Sequence, residues 1–156
     1  RPLPGFIGDI GYAQSNRERY EGFCQALTYA GKKVDSSLCL TTPLGIDTYR
    51  EEIDTFLSSL SRMPDAFVCA SDYVACILMQ LLEKRGLRVP EDVAVSGFDN
   101  NTEDLLAEHL TTVQVFNEEL GARLALQILY RIKYPNTPHE VTYLGTNVLY
   151  RDSTGD

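Results

Sequence analysis

Apolar and polar positions along the chain alternate between two periods, and the alternation itself predicts an order of elements. Residues 5–10, Gly-Phe-Ile-Gly-Asp-Ile, read as a short strand. A helix follows to about Ala30, carrying Tyr20, Phe23, Cys24 and Leu27 at helical spacing. Ser15 and Glu18 fit a capping box at its start, and Gly31 fits its end. A second strand is expected over 34–40. Thr48 with Glu51 opens another helix bearing Ile53, Phe56, Leu57 and Leu60. Residues 66–70, Ala-Phe-Val-Cys-Ala, form the continuous apolar run of a strand covered on both faces. Asp72 can cap a third helix that ends at Lys84-Arg85-Gly86, and 93–98 reads as a fourth strand. Strands separated by helices of this length predict a parallel sheet with right-handed crossovers, an α/β Rossmann-like fold flanked by helices.

The pattern changes after residue 98. Residues 99–110 are polar and irregular, anchored by Leu105, Leu106 and Leu110. Residues 111–116 can form a strand, and Asn117 can cap a helix running to Lys133. Tyr134-Pro135-Asn136 stops it, and 141–150 offers one or two final strands. The helix at 118–133 is apolar on several faces. It asks for more partner surface than the flank of a small sheet provides.

Composition narrows the classes. The 156 residues are 44% hydrophobic and 23% charged, ordinary values for a folded domain long enough to bury a core. Lys plus Arg number 14 against 22 Asp plus Glu, a net charge of −8 with no basic run. Such a chain is poorly placed to grip a phosphate backbone or an anionic membrane by itself. No apolar stretch is long enough to span a bilayer. Cys24, Cys39, Cys69 and Cys76 sit among apolar neighbours without a Cys-x-x-Cys pair, so they read as free core thiols. Reduced thiols favour a cytoplasmic location.

No phosphate loop, nucleophile elbow or metal-ligand cluster occurs, and the first turn, Gly8-Asp9-Ile10-Gly11-Tyr12, lacks dinucleotide-binding spacing. No cofactor is expected. The carboxylates Asp72, Asp99, Glu103 and Asp104 are scattered. An α/β enzyme using Asp72 or Asp99 would need a partner group that the sequence does not display. Parallel sheets bind ligands beyond the carboxyl ends of their strands. That rule collects Asp9, Tyr12, Ser15, Asn16 and Arg19 after the first strand. It adds Ser71, Asp72 and Tyr73 after the third, and Asp99 and Asn100 after the fourth. Carboxylates, a guanidinium, hydroxyls, an amide and an aromatic ring suit a small polyhydroxylated ligand. Plainer roles stay open beside this one. Ser71 and Asp72 fit helix capping, Arg19 an exposed helix charge, Asp99-Asn100 a turn, and Tyr12 a loop aromatic.

Several segments carry a resemblance. They include Arg19-Tyr20-Glu21-Gly22-Phe23, Ala70-Ser71-Asp72 and 89–100, Val-Pro-Glu-Asp-Val-Ala-Val-Ser-Gly-Phe-Asp-Asn. Leu110-Thr111-Thr112-Val113 and 149–154, Leu-Tyr-Arg-Asp-Ser-Thr, complete the set. In order and spacing the chain resembles the carboxyl-terminal part of the effector-binding domain of LacI/GalR transcription regulators. The resemblance implies a periplasmic-binding-protein-like lobe of type I. It implies a non-catalytic protein in which a small molecule, expected to be a sugar, binds between two lobes and controls operator binding. Residues 5–113 and 137–150 would build the carboxyl-terminal lobe, and 118–133 would be a helix of a mostly absent amino-terminal lobe. Operator DNA would be read by a headpiece not contained in these residues, and the intact protein would be a homodimer. Arg19 falls where the family anchors its effector and Asp99 where a cleft carboxylate stands. Ser71 replaces a common Asn, and Tyr12 and Asn16 lie in the variable ligand loop. A solute-binding protein of a sugar transporter shares the same fold and cleft.

Overall fold

A computed structural model describes residues 3–100 and 105–155. Glu103 and Asp104, and the side chain of Leu105, lie outside the described residues. Strands β1 (Pro4–Ile7), β2 (Cys39–Leu40), β3 (Ala66–Cys69) and β4 (Ala94–Ser96) form one parallel sheet in the order β2-β1-β3-β4. The register places Phe6 beside Cys39 on one side and Val68 on the other, and Val68 beside Ser96. The expected parallel arrangement is present, with shorter strands than the apolar runs suggested.

Period-two alternation divides the core. Ile7, Phe67, Cys69 and Val95 point toward α2 (Tyr49–Ser59) and α3 (Asp72–Lys84) and pack with Ile53, Leu57, Leu78 and Leu82. Phe6 points the other way, toward Phe23 and Leu27 of α1 (Gln14–Tyr29), with Tyr20 and Val68 at the margin. The Phe6 ring meets Tyr20 edge-on at 5.1 Å between centroids. Two glycines end helices in the left-handed region that side chains avoid, Gly31 after α1 and Gly86 after α3. Behind them, Lys32 N–H donates to Leu27 O and Leu87 N–H to Leu82 O, closing the last turns.

Several local expectations give way to tertiary demands. The second strand is only two residues long. Asp35 accepts from Ser37 N–H at 3.0 Å and starts a tight turn over Ser36–Leu38 instead. Helix α1 begins before Ser15, with Ala13 at its cap and no capping box, because Asp9 and Asn16 already fix the entering loop. Ser71 rather than Asp72 caps α3, its hydroxyl accepting from Val74 N–H. Thr48 bonds Glu52, not Glu51, at the start of α2.

Beyond β4 the sheet is extended by backbone bonds from Gly97 N–H to Thr111 O and from Asp99 N–H to Val113 O. Here β5 (Thr112–Gln114) pairs antiparallel with β6 (Asn147–Leu149), Gln114 opposite Asn147. Only 147–149 of the expected final strands forms. Helix α4 (Asn117–Lys133) follows Phe116, which caps it by position without a side-chain bond, and has no buried residue. Leu120, Leu124, Ile128 and Ile132 are 48–73% exposed.

The Leu-Thr-Thr-Val and Arg-Asp-Ser-Thr segments turn out to be two halves of one latch. Thr111 N–H donates to Ser153 Oγ at 2.8 Å, and Ser153 Oγ donates to Val95 O at 2.6 Å. Arg151 N–H donates to Thr111 Oγ1, and the Arg151 guanidinium donates to Leu110 O. Side chains thus bind the returning tail to the sheet edge.

Candidate functional site

Arg19 lies on the first turns of α1 and reaches over the carboxyl ends of β3 and β4. Its Nη1 donates to Ala70 O at 2.5 Å, its Cζ lies 3.7 Å from the Phe98 ring centroid, and its Nη2 lies 3.4 Å from Asp99 Oδ1. A backbone carbonyl and an aromatic face fix the guanidinium plane, while the carboxylate contact is long. Burial lowers the Arg19 pKa, with Asp99 and Asp72 opposing that shift. Burial raises the Asp99 pKa, Arg19 lowers it and Asp72 raises it. For both partners desolvation outweighs pairing, so burial disfavours the charged form of each.

Asp99 and Asn100 both have positive φ, 112° and 52°, a conformation that L residues adopt at a cost. The surroundings enforce it. Asn100 N–H donates to Thr112 Oγ1, Asn100 Nδ2 donates to Gln114 Oε1 at 2.7 Å, and Arg151 Nη2 donates to Asn100 Oδ1 at 2.8 Å. The turn aims the Asp99 carboxylate at Arg19.

The other expected site residues separate into tiers. Asn16 Oδ1 accepts from Arg19 at 3.4 Å, and its Nδ2 donates to Asp9 O, so it joins the Arg19 cluster. Ser71 is half-buried and occupied as the α3 cap. Asp72 is 2% exposed and accepts from Thr112 Oγ1 at 2.6 Å, so it braces β5 against α3 from beneath the rim. Gly97 is required there, because a Cβ at that position would run into the Asp72 carboxylate. Tyr12 is 75% exposed on the loop after β1.

Sequence reasoning did not single out Phe98, Thr112, Gln114 or Arg151 as parts of this assembly. Asp9 was collected at the strand end, but its role is structural. Its carboxylate accepts from Gly11 and Tyr12 N–H at 2.8 and 3.0 Å and from Leu44 N–H at 3.4 Å. The Asp-Ile-Gly spacing is the local signal for that turn. Beside Arg19, an open concavity of about 380 Å³ runs over Val68, Phe98, Val113, Val148 and Tyr150. Among the described residues, no group of three or more His, Cys, Asp or Glu is placed to hold a metal ion. No described helix is long and apolar enough to cross a membrane.

The family model described as a periplasmic binding protein-like domain matches residues 4–154. The HTH-type transcriptional regulator DegA of Bacillus subtilis is 35% identical over 117 residues, 74% of this chain and 34% of that protein. The HTH-type transcriptional regulator CelR of Thermobifida fusca is 34% identical over 142 residues, 87% of this chain and 40% of that protein. A solved structure of a transcriptional regulator CelR–cellobiose complex superposes with a TM-score of 0.86 at 29% identity, covering 97% of this chain and 46% of that one. The chain therefore spans less than half the length of these relatives.

Proposed function

The chain belongs to the periplasmic binding protein-like domain family, in the form carried by LacI/GalR transcription regulators, and from that membership we propose that it is the effector-sensing part of a DNA-binding regulator. Its ligand is a small polyhydroxylated molecule, a sugar, and its role is to bind rather than to catalyse. Arg19, Asp99 and Asn16 hold the ligand's hydroxyls, with Ser71 beside them, Asp72 bracing the rim from beneath and Tyr12 on the neighbouring loop. The observation that carries the reading is the Arg19–Asp99 pair, joined across 80 positions of sequence at the carboxyl edge of a parallel sheet. The similar solved CelR–cellobiose complex supports the ligand class.

In the same reading, 5–113 and 137–150 form one lobe and 118–133 contributes to another. The apolar face of α4, none of it buried, supports that division. Effector binding favours one arrangement of the lobes over the other, and that difference in affinity sets the response. Operator DNA is read by a separate part of the full-length protein, which acts as a homodimer so that two copies meet two half-sites. The acidic chain described here, with net charge −8, is suited to sensing rather than to DNA contact.

Calorimetric titration of the full-length protein with sugars, with nucleobases as the contrasting class, tests the reading. Charge-assisted hydrogen bonds contribute about 1.5–3 kcal/mol each, so Arg19→Ala and Asp99→Ala should each weaken sugar binding roughly 10- to 150-fold. Operator binding should persist in both variants while the effector response is lost. Unchanged sugar affinity in both variants would remove the site assignment, and binding of nucleobases alone would replace the ligand class.

A further inference from the structure

The carboxyl edge of the sheet has a second half that the Arg19–Asp99 pair does not use. Strand order β2-β1-β3-β4 puts that pair over β3 and β4. Beyond the ends of β1 and β3 stand three tyrosines from three separate elements: Tyr12 in the loop after β1, Tyr49 at the start of α2, and Tyr73 in the first turn of α3. Tyr49 is half-buried and packs on the core. The Tyr73 ring meets it edge-on, with centroids 5.7 Å apart and an interplanar angle of 87°. Tyr73 is itself 58% exposed and Tyr12 is 75% exposed. Burial first, then the neighbouring Asp9, Tyr12, Tyr73 and Glu52, raise the Tyr49 pKa, which agrees with the close grouping of the three phenols.

Isolated exposed tyrosines need no explanation, but this grouping is built. The buried Asp9 carboxylate accepts the backbone N–H of Tyr12 and, with its other oxygen, that of Leu44. One side chain thereby ties the loop that bears Tyr12 to the loop leading into Tyr49. The edge-to-face contact then orders Tyr73 against Tyr49. An anchored tyrosine, an exposed partner ring and a third ring on a tied loop form a platform rather than three independent groups.

We propose that Tyr12, Tyr49 and Tyr73 form an aromatic subsite that takes the second ring of a disaccharide or longer glycan whose first ring is held by Arg19 and Asp99. This inference rests on the sugar-binding reading and narrows its ligand class. Chemistry divides along the edge in the way such a ligand requires. The charged end supplies strong bonds to hydroxyls, and the tyrosine end supplies ring faces for the apolar side of a sugar and phenols for its rim. Tyr12 follows β1 and Asp99 follows β4, two interstrand spacings of ~4.8 Å apart, roughly 10 Å. That span exceeds a single pyranose ring and accommodates two joined ones. Tyr73 is the specificity-determining residue of this arrangement, because it is exposed and follows β3 three residues after Ala70, whose carbonyl accepts from Arg19.

The test uses the full-length protein, with cellobiose, maltose and lactose titrated beside glucose and galactose. At least one disaccharide should bind tenfold or more tightly than either of its monosaccharides. Tyr73→Ala should weaken that disaccharide roughly 3- to 12-fold while leaving monosaccharide affinity unchanged, and Tyr73→Phe should retain the ring's contribution. Arg19→Ala should weaken mono- and disaccharide alike. Tyr73 is exposed, so the variants should melt with the wild type, and a melting control checks this. A monosaccharide that binds as tightly as every disaccharide, with Arg19 dependence intact, overturns the subsite and leaves the sugar reading standing. Equal loss for mono- and disaccharide in Tyr73→Ala also overturns it. Absence of binding by any of these sugars overturns the subsite together with the reading beneath it.

Discussion

Ser153→Ala should destabilise this protein far more than the loss of one surface hydroxyl would suggest. Ser153 is 2% exposed, and its Oγ accepts from Thr111 N–H at 2.8 Å while donating to Val95 O at 2.6 Å. Alanine fills the same space but offers neither bond. The buried Thr111 N–H would lose its acceptor, and an unsatisfied buried donor costs about 1–3 kcal/mol. The lost bond to Val95 O adds about 0.5–1.5 kcal/mol. A destabilisation of roughly 2–4 kcal/mol follows, since the two terms share one relaxing segment. For a domain of this size each kcal/mol moves the melting temperature by about 2–4 °C, so the fall should be about 4–16 °C. Thermal and urea unfolding measure it, with Asp152→Ala as the neighbouring control. Asp152 pairs with His109 at the surface, its side chain 73% exposed, so that variant should stay within about 0.5 kcal/mol of wild type. A Ser153→Ala protein melting within a degree of wild type would refute the latch as a source of stability.

Other outcomes follow from the same physics. Gly97→Ala should lower stability by at least about 1 kcal/mol, read by the same melts, because its Cβ meets the Asp72 carboxylate and lies 2.9 Å from Leu110. Asp99 holds its proton to higher pH in the folded chain than its ordinary value, through burial. The folded state therefore binds more protons in that window, and stability falls as pH rises from the ordinary carboxylate value through the raised one. Asp99→Asn should lack that fall when melting temperature is followed against pH. Cys69 and Cys76 are buried, and burial pushes the Cys69 thiol above the ordinary range, so native alkylation followed by mass spectrometry should leave both unmodified. Cys39, half-buried and pushed up to about 11, should react slowly with the same reagent. Replacing Leu124 and Ile128 by Glu on α4 should reduce self-association of the isolated chain, measured by sedimentation, since both are more than half exposed.

Helix existence and strand order were readable from local periods because each reports a face that must be buried. The ends of elements were not. Ser15 and Asp72 had the composition of caps, yet Asp9 and Thr112 drew on these regions from outside the local window, whereas Thr48 does stand at the start of α2 and bonds Glu52 one turn on. Asp72 shows the limit most clearly. Its position at a strand end was correctly inferred, but its burial depends on a threonine 40 residues away. The Arg19–Asp99 contact was accessible despite its long separation because both residues follow parallel strands, and topology brings such ends together. No comparable rule points to Arg151, whose bond to Asn100 arises from the return of the tail, or to Gln114, whose bond arises where β5 runs alongside the Asp99-Asn100 turn. Tyr49 escaped notice for a similar reason, since its partner ring sits on a different helix.

The paired strands β5 and β6 have a mechanical consequence. Everything from 115 to 146 leaves through one strand and comes back through its neighbour, with Gln114 opposite Asn147 at the mouth. Such a ribbon behaves like a leaf spring. Its cross-strand bonds resist shear in the plane, whereas little opposes flexing normal to it. The root of the spring is not passive, because Gln114 is bonded to Asn100 and the Val113 carbonyl accepts from Asp99 N–H. A displacement of α4 that reaches β5 therefore meets, at the root of the ribbon, the bonds that hold the Asp99-Asn100 turn in place.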